Sequence, residues 1–394
     1  MSKPNLEIGS ALSVEFDVEI LNLDGTAKPV GNRQKNLLLD SGLDKIATLG
    51  ITTCMQYAAV GTGTNPTYRD SGAVTVTIAG GVATASAGFF AAADVGRLLK
   101  QDSGSERYIT GYTSPTVVTV GGADSAASLF TIWYVSDTGL QTESKRTGAY
   151  TNGATDNQST FAAPGTWTHK QTFLFAAEAA PITYNEIGWS NSNAAGANLF
   201  GRALFITPPS LGIGQQLRVT LYLSVTLTPN TQTAVADVGN NGYNTSGTAM
   251  IEYCPAGSAD GISSISNPLG GPNNGGTGYP QLEPFSGINH QLKILQATFA
   301  QAAAMSSTVG TAVGTVFTSS TTVVTPAYIA KTFYIDNVFN FPLSSANTAS
   351  HYGITLGQTN RNFSIKFTTP QVKDAAHTLS FTIRFSWGRT LVNI

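Results

Sequence analysis

The chain has 394 residues, of which 11% are charged, and its formal net charge at neutral pH is −2. This length suffices for two or three domains, and a charged fraction well below the usual value of about 25% leaves the surface to neutral polar side chains. The 21 Lys and Arg residues form no basic run, which argues against a nucleic-acid partner. With little repulsion between copies, the composition favours a chain that packs against neighbouring chains.

The beginning of the chain predicts a soluble protein with a short helix. Residues 1–20 lack the cationic start and apolar core of a secretory signal, and no later stretch reaches the ~18 apolar residues of a membrane helix. We therefore expect synthesis in the cytoplasm and no membrane insertion. Over residues 36–49, Leu38, Ile46 and Leu49 have helical spacing, with Ser41-Gly42 as the point where the helix could break.

The next segments predict a turn and an inserted β-module. Residues 60–64 (VGTGT) are interpreted as a turn and not as a phosphate-binding loop, because no Lys-Ser or Lys-Thr follows them. Residues 71–134 predict a small module of short strands joined by Gly, Pro and Asp turns, with Ile109 and Val118 facing its core. The predicted strands are 74–78, 97–100, 108–112, 116–120 and 130–135.

Two segments about 160 residues apart resemble each other, at 188–227 and 353–388. Each contains a Gly-led strand, an Asn-rich turn, a second strand, a Thr-Pro break and a final alternating strand. With one residue inserted in the second copy, the final strands align at Leu217, Val219, Leu221 and Leu223 opposite Leu379, Phe381, Ile383 and Phe385. Upstream, 172–175 (TFLF) matches 332–335 (TFYI). The alternatives are chance alternation and two related sandwiches in tandem.

The region between these segments carries the candidate contact residues. Tyr243, Tyr253 and Tyr279 lie in Asn- and Gly-rich surroundings, whereas most other aromatic residues lie inside apolar strands. These three tyrosines are the predicted contacts to a partner subunit or a receptor. Residues 290–304 fit either a helix after an Asn289 cap or a strand.

Residues that carry chemistry are few and dispersed. The four histidines have no metal-binding spacing, and Cys54 and Cys254 are expected to be buried free thiols. Two acidic pairs have the residue types of a glycosidase site but are interpreted as isolated surface acids: Glu178 with Glu186, and Asp237 with Glu252. The sequence therefore predicts no catalytic, cofactor-binding or metal-binding residue, no cofactor and no enzyme.

A family resemblance rests on short motifs. Residues 36–47 (NLLLDSGLDKIA) followed by 60–66 (VGTGTNP) resemble the opening of bacteriophage tail and fibre-associated proteins. In that pattern a Thr-Gly-Leu segment follows the turn directly, whereas here it stands at 137–146 (DTGLQTESKR), so 71–134 looks inserted. The insert, with GFFAAADVGRLLK at 88–100, resembles small β-modules of tail-fibre and tailspike proteins. The resemblance covers less than half of the chain and transfers no functional residue.

The sequence thus predicts an all-β protein of tandem antiparallel, jelly-roll-like β-sandwiches with one or two short helices. The predicted domains are a sandwich with an N-terminal arm over 1–70 plus 135–229, the module at 71–134, and a second sandwich at 230–394. The resemblance implies a structural protein of the phage virion, in the tail, neck or collar. It would form threefold or sixfold homo-oligomers and bind other phage proteins and fibres. Two alternatives remain open, a tail-fibre module that binds host-surface glycan and a capsid decoration or head-fibre protein.

Overall fold

A computed structural model describes residues 6–49, 53–150, 157–162, 166–196, 199–228, 231–238, 241–252, 292–295, 316–318, 320–324, 328–341, 343–344, 348–356, 362–373, 375–376 and 379–391. Among these residues nearly all regular elements are antiparallel strands, and the all-β prediction is confirmed.

The elements fall into four groups along the chain. The first group is β1 (Leu6–Leu21), β2 (Ala27–Pro29), β3 (Gln34–Leu38), α1 (Asp40–Leu49), a 3-10 turn (Thr53–Met55) and β4 (Tyr57–Gly61). The second is β5 (Tyr68–Ala79), β6 (Val82–Ala85), a 3-10 turn (Ala92–Asp94), β7 (Leu98–Gln101), β8 (Glu106–Ser114), β9 (Val117–Val120) and β10 (Ser125–Trp133). The third is β11 (Glu143–Gly148), β12 (Asn157–Ala162), β13 (Thr166–Leu174), β14 (Ile182–Thr183), β15 (Glu186–Ser190), β16 (Leu199–Leu204), β17 (Ser210–Leu211) and β18 (Gln216–Thr228). The fourth is β19 (Thr231–Val238), β20 (Asn241–Glu252), β21 (Leu292–Leu295), β22 (Val316–Thr318), β23 (Ser320–Val324), β24 (Tyr334–Phe341), β25 (Thr348–Leu356), β26 (Asn362–Lys373) and β27 (Leu379–Arg389).

The first and third groups form a β-sandwich that nearly closes on itself. One sheet runs β12-β13-β18-β1-β3, and the other runs β11-β4-β15-β16-β3. Strand β3 belongs to both sheets, because residues 34–36 pair with β1 while Leu37 and Leu38 pair with β16. At the opposite edges a bridge joins Ala149 to Phe173. The two sheets therefore enclose a core on nearly all sides.

Alternation along the long strands fills this core. Every second residue is buried from Leu12 to Ile20 in β1 and from Leu217 to Val225 in β18. Phe16 packs with ring centroids 5.4 Å from Trp189 and 6.0 Å from Phe205. The buried rows are Leu12, Val14, Phe16, Val18 and Ile20 in β1, and Leu217, Val219, Leu221, Leu223 and Val225 in β18. The intervening residues of both strands point to the outer face, which is polar.

The predicted helix over 36–49 is wrong for residues 36–39 and right for residues 40–49. Residues 36–38 form the end of β3, held between β1 and β16, and α1 begins only at Asp40. Ser41-Gly42 does not break α1. Gly42 faces the backbone of Phe200, where an added Cβ would lie 2.4 Å from Phe200 O. This glycine therefore allows the close approach of α1 to β16.

The second group forms a closed barrel in the order β10-β5-β6-β9-β8-β7. The barrel has six strands where five were predicted, and the strand missed is β6, four small residues next to a glycine pair. Ile109 and Val118 are 1% and 0% exposed, which confirms that they face the core. The barrel leaves the sandwich after β4 and returns before β11.

Within the described ranges, the last nine strands repeat the pairing pattern of nine strands of the sandwich. The two sets are β1, β3, β4, β11, β12, β13, β15, β16, β18, and β19 to β27. In each set the first strand pairs with the second and the ninth strand, and the eighth strand pairs with the second and the seventh. The third strand pairs with the fourth and the seventh, and the sixth strand pairs with the fifth and the ninth. All these pairs are antiparallel.

The pairing also corrects one part of the sequence alignment. Phe173 lies opposite Val219 in β18, and Phe339 lies opposite Phe381 in β27. Since Val219 and Phe381 are equivalent, the counterpart of 172–175 (TFLF) is 338–341 (VFNF) and not 332–335. The segments 172–175 and 332–335 both contain aromatic residues, which is why the sequence comparison aligned them.

Two further elements bear on the predictions. Residues 292–295 are the strand β21, so within them the strand alternative is confirmed and the helix is not; residues 296–304 lie outside the described ranges. The N-terminal strand pairs within its own chain on both edges. Residues 6–12 of β1 run parallel to β27, while residues 9–21 run antiparallel to β18. One strand thus connects the first and last parts of the chain.

Candidate functional site

The three predicted contact tyrosines do not meet at a site that the structure describes. Tyr243 lies in β20, where its backbone pairs with Ala236 of β19. Tyr253 and Tyr279 lie outside the described residues. Their role as contacts to a subunit or receptor stays a prediction.

The sequence suggested that Glu178 and Glu186 are surface acids, and this interpretation is wrong. Their exposed fractions are 5% and 0%. Glu178 accepts hydrogen bonds from Lys145 Nζ at 2.6 Å and from the Tyr184 hydroxyl at 2.7 Å. A buried carboxylate is stable only when hydrogen bonds or an opposite charge compensate for its lost hydration. Both glutamates have such partners and therefore stabilise the fold.

Glu186 belongs to an ion-pair cluster with the buried Arg202 and the partly exposed Asp137, which we call the clamp. The carboxylate of Glu186 accepts three backbone N–H groups, from Thr142 at 2.7 Å, Gln141 at 2.9 Å and Gly63 at 3.1 Å. Glu186 Oε2 also lies 3.3 Å from Arg202 Nη2. A Cβ on Gly63 would come within 2.3 Å of Glu186 Oε1, so glycine is required there.

Arg202 extends the clamp to both connections of the barrel. Its Nη2 donates to Asn65 O at 2.6 Å and its Nη1 to Asp137 Oδ2 at 2.8 Å. Residues 62–66 lead from β4 into the barrel, and residues 137–142 lead from the barrel to β11. One buried pair, Glu186 and Arg202, therefore fixes both connections.

A second polar junction joins α1 to the barrel and to the end of the chain. Asp40, 2% exposed, accepts a hydrogen bond from the Tyr108 hydroxyl at 2.8 Å and forms an ion pair with Arg389. Burial raises the pKa of Tyr108, which keeps its hydroxyl protonated as a donor. Trp387 Nε1 donates to Leu43 O at 2.9 Å, and Tyr328 stacks on the Trp387 ring at 5.9 Å between centroids.

The motif Asp94-Val95-Gly96-Arg97 also has a structural role. The buried carboxylate of Asp94 accepts the Ala91 N–H at 2.8 Å, Arg69 Nη2 at 2.6 Å and Arg97 Nη1 at 2.9 Å. Gly96 has φ +88°, a conformation that disfavours other residues. The motif therefore closes the turn that leads into β7.

One end of the sandwich carries exposed aliphatic side chains. Leu23, Ile206 and Ile213 are 81%, 68% and 65% exposed, on the loops 22–26 and 205–215. Gly214 packs under Leu23, since a Cβ there would lie 2.5 Å from Leu23 Cδ2. A hydrogen bond of 2.6 Å from Gln215 Nε2 to Asn22 Oδ1 ties the two loops together. We call these three side chains the apolar end.

Buried titratable groups outside these clusters belong to the core. Cys54 is 0% exposed and forms no disulfide, as predicted, and burial raises the pKa of its thiol to about 12. Cys254 lies outside the described residues. Burial lowers the pKa of His169 to about 4, so its ring is neutral at neutral pH.

The described ranges contain no cluster of three or more His, Cys, Asp or Glu side chains arranged to bind a metal ion. No helix in them is long and apolar enough to span a bilayer.

Comparison with family models, with curated proteins and with solved structures finds no match to this chain.

Proposed function

We propose that this chain is a structural protein of a bacteriophage particle, which assembles as symmetric copies in the tail or neck. The observation that carries the proposal is the repeated strand pattern, in which β19 to β27 pair in the same order as nine strands of the sandwich. A subunit with two similar halves offers two similar faces. Three copies in a ring would then present six such faces, which suits a junction between a sixfold tail and threefold fibres.

The electrostatics of the described residues support assembly. The buried acids Asp40, Asp94 and Glu186 are all engaged by arginines of the same chain. The remaining surface is poor in charge, with 11% charged residues in the whole chain. Contacts between copies therefore displace few strongly hydrated groups.

The apolar end is the surface that we expect such contacts to bury. Each of its side chains is more than half exposed in the single chain. Full burial of one aliphatic side chain contributes about 1.5–3 kcal/mol to the free energy of association. Burial of two of them therefore lowers the dissociation constant by more than about tenfold. Loops that are held by Gly214 and Gln215 present these side chains without further ordering.

Native mass spectrometry of the full chain tests the assembly. We expect a threefold or sixfold oligomer for the wild type, and a lower mass for the double variant Leu23→Ser with Ile213→Ser at the same concentration. Leu129→Ser is the matched control, because Leu129 is an exposed aliphatic residue of the barrel, at 40% exposure. Antibody labelling of purified particles then locates the protein. A wild-type monomer at all concentrations, together with unlabelled particles, contradicts the proposal.

A further inference from the structure

The outer face of the sandwich carries a groove with a volume of about 460 Å³. It lies over the adjacent strands β1, β18 and β13, and the loop between β2 and β3 forms part of its rim. This volume is within the range of about 300–1,000 Å³ that is typical of small-molecule sites. We call it the outer groove, and its main lining residues are Asp17, Glu19, Lys170, Thr172, Arg218 and Thr220.

The cross-strand register explains the depression. Asp17 pairs with Thr220, and Thr220 pairs with Thr172, so two short hydroxyl side chains stand side by side. Thr172 and Thr220 are 2% and 9% exposed, which makes them the floor of the groove. The rows two residues away along the strands carry long side chains that form the walls: Tyr222 with Lys170, and Arg218 with Glu19.

The polar groups of the walls are held in fixed positions. Arg33 binds both carboxylate oxygens of Asp17, at 3.1 and 2.8 Å, and its guanidinium lies 3.7 Å from the centre of the Tyr222 ring. Arg218 donates through Nε to Glu19 at 2.7 Å. A site whose polar side chains are already ordered loses less conformational entropy when a ligand binds.

The charges of the groove leave one cation in excess. Asp17 is paired with Arg33, and Glu19 with Arg218. Glu15, the next outward residue of β1, lies opposite Lys35 of β3. Lys170 adds a positive charge that these pairs do not neutralise, and it stands beside the floor threonines.

We propose that the outer groove binds an acidic saccharide, that is, a sugar unit that carries a carboxylate. Sugar hydroxyls both donate and accept, which matches the alternation of carboxylates, guanidinium groups and hydroxyls around the floor. The ligand's carboxylate pairs with Lys170 and with the terminal nitrogens of Arg218 through charge-assisted hydrogen bonds. A neutral sugar leaves the excess charge unpaired, and a polyanion meets the carboxylates of Asp17 and Glu19. This inference goes beyond the assembly role and does not depend on it.

Calorimetric titration of the full chain at low salt tests the proposal, with N-acetylneuraminic acid and glucuronic acid as acidic probes and glucose and N-acetylglucosamine as neutral ones. We expect the acidic probes to bind at least about tenfold more tightly, because one charge-assisted hydrogen bond is worth roughly that factor. Lys170→Ala lowers the affinity for the acidic probe by about the same factor. Lys28→Ala is the matched control, since Lys28 is an exposed lysine of β2 outside the groove lining.

A second variant separates the groove from general effects on folding. Thr220→Tyr fills the floor with a residue that suits a strand, so it abolishes binding while circular dichroism and the melting temperature show a folded protein. Three results overturn the proposal: no binding of either acidic probe, equal binding of acidic and neutral probes, or equal losses from Lys170→Ala and Lys28→Ala. The oligomeric state is measured separately, so a failure of the groove is distinguishable from a failure of the assembly role.

Discussion

Replacing Arg202 with methionine tests whether the clamp secures the barrel to the sandwich. The side chain of Arg202 is 2% exposed and that of Glu186 is fully buried, so the variant leaves a buried carboxylate without its cation. Loss of one partner of a buried ion pair costs about 3–5 kcal/mol. Three backbone N–H groups still bind Glu186 in the variant. We therefore expect the free energy of unfolding to fall by about 3 kcal/mol, the lower end of that range.

Urea unfolding followed by tryptophan fluorescence measures this loss, and proteolysis locates it. Asn65 and Asp137 lose their bonds to the guanidinium, so the connections 62–66 and 137–142 open more often. Thermolysin, which cleaves beside Leu140, should cut the variant faster under native conditions. The double variant Arg202→Met with Glu186→Gln is the control. It removes the buried charge of Glu186 while the amide oxygen still accepts the N–H groups of Thr142 and Gly63, so part of the stability is recovered.

The reasoning about the clamp is refuted by two results together. The first is a loss of less than about 1 kcal/mol in Arg202→Met, which is the range of an exposed ion pair. The second is cleavage of residues 137–142 at the wild-type rate.

Three further predictions concern the core. Burial lowers the pKa of His169 to about 4, so the unfolded chain binds more protons between pH 4 and 6.5. The contribution of His169 to the free energy of unfolding is fully present above pH 6.5 and falls by about 3 kcal/mol toward pH 4. Urea unfolding at several pH values measures this slope, and we expect His169→Phe to remove it. Gly42→Ala should lower the melting temperature through a loss of about 1–3 kcal/mol, although alanine favours helices, because its Cβ meets the Phe200 backbone. Cys54 should react with a thiol reagent only after unfolding, because burial raises its pKa to about 12.

Each of these predictions has a contradicting result. Equal pH slopes in the wild type and His169→Phe would show that another group causes the acid destabilisation. A more stable Gly42→Ala protein would show that helix propensity outweighs the contact with β16. Rapid modification of Cys54 in the native protein would show that its surroundings open without global unfolding.

Local patterns predicted most strands, because alternation of apolar and polar residues is written in single segments. The runs that contain Leu217 and Leu379 became β18 and β27. The alternation did not predict strands whose side chains are small, or strands that form because neighbouring strands pair with them. Strand β6 carries only small side chains, and residues 36–38 are strand because β1 and β16 lie on either side of them.

The polar clusters could not be predicted from one sequence. Glu186 and Arg202 lie on the paired strands β15 and β16, which are close in sequence. Asp137 reaches them only because the barrel returns to the sandwich at that point. Scattered single charges suggested solvated acids, whereas the buried acids that the structure describes each pair with a basic side chain at least 16 positions away in sequence: Asp40, Asp94, Glu178 and Glu186. The outer groove depends on the register of β1, β13 and β18, and the whole barrel lies between β1 and the other two strands in the sequence.

The repeated strand pattern places the barrel at a position that occurs twice in the chain. In the first set, residues 62–142 connect the third and fourth strands, β4 and β11, and contain the whole barrel. In the second set, residues 296–315 connect their counterparts, β21 and β22. The same connection thus spans 20 residues in the second set and contains an entire folded module in the first. A foreign domain whose termini lie close together could be grafted in place of the barrel or into 296–315, which would make this chain a scaffold for displaying cargo.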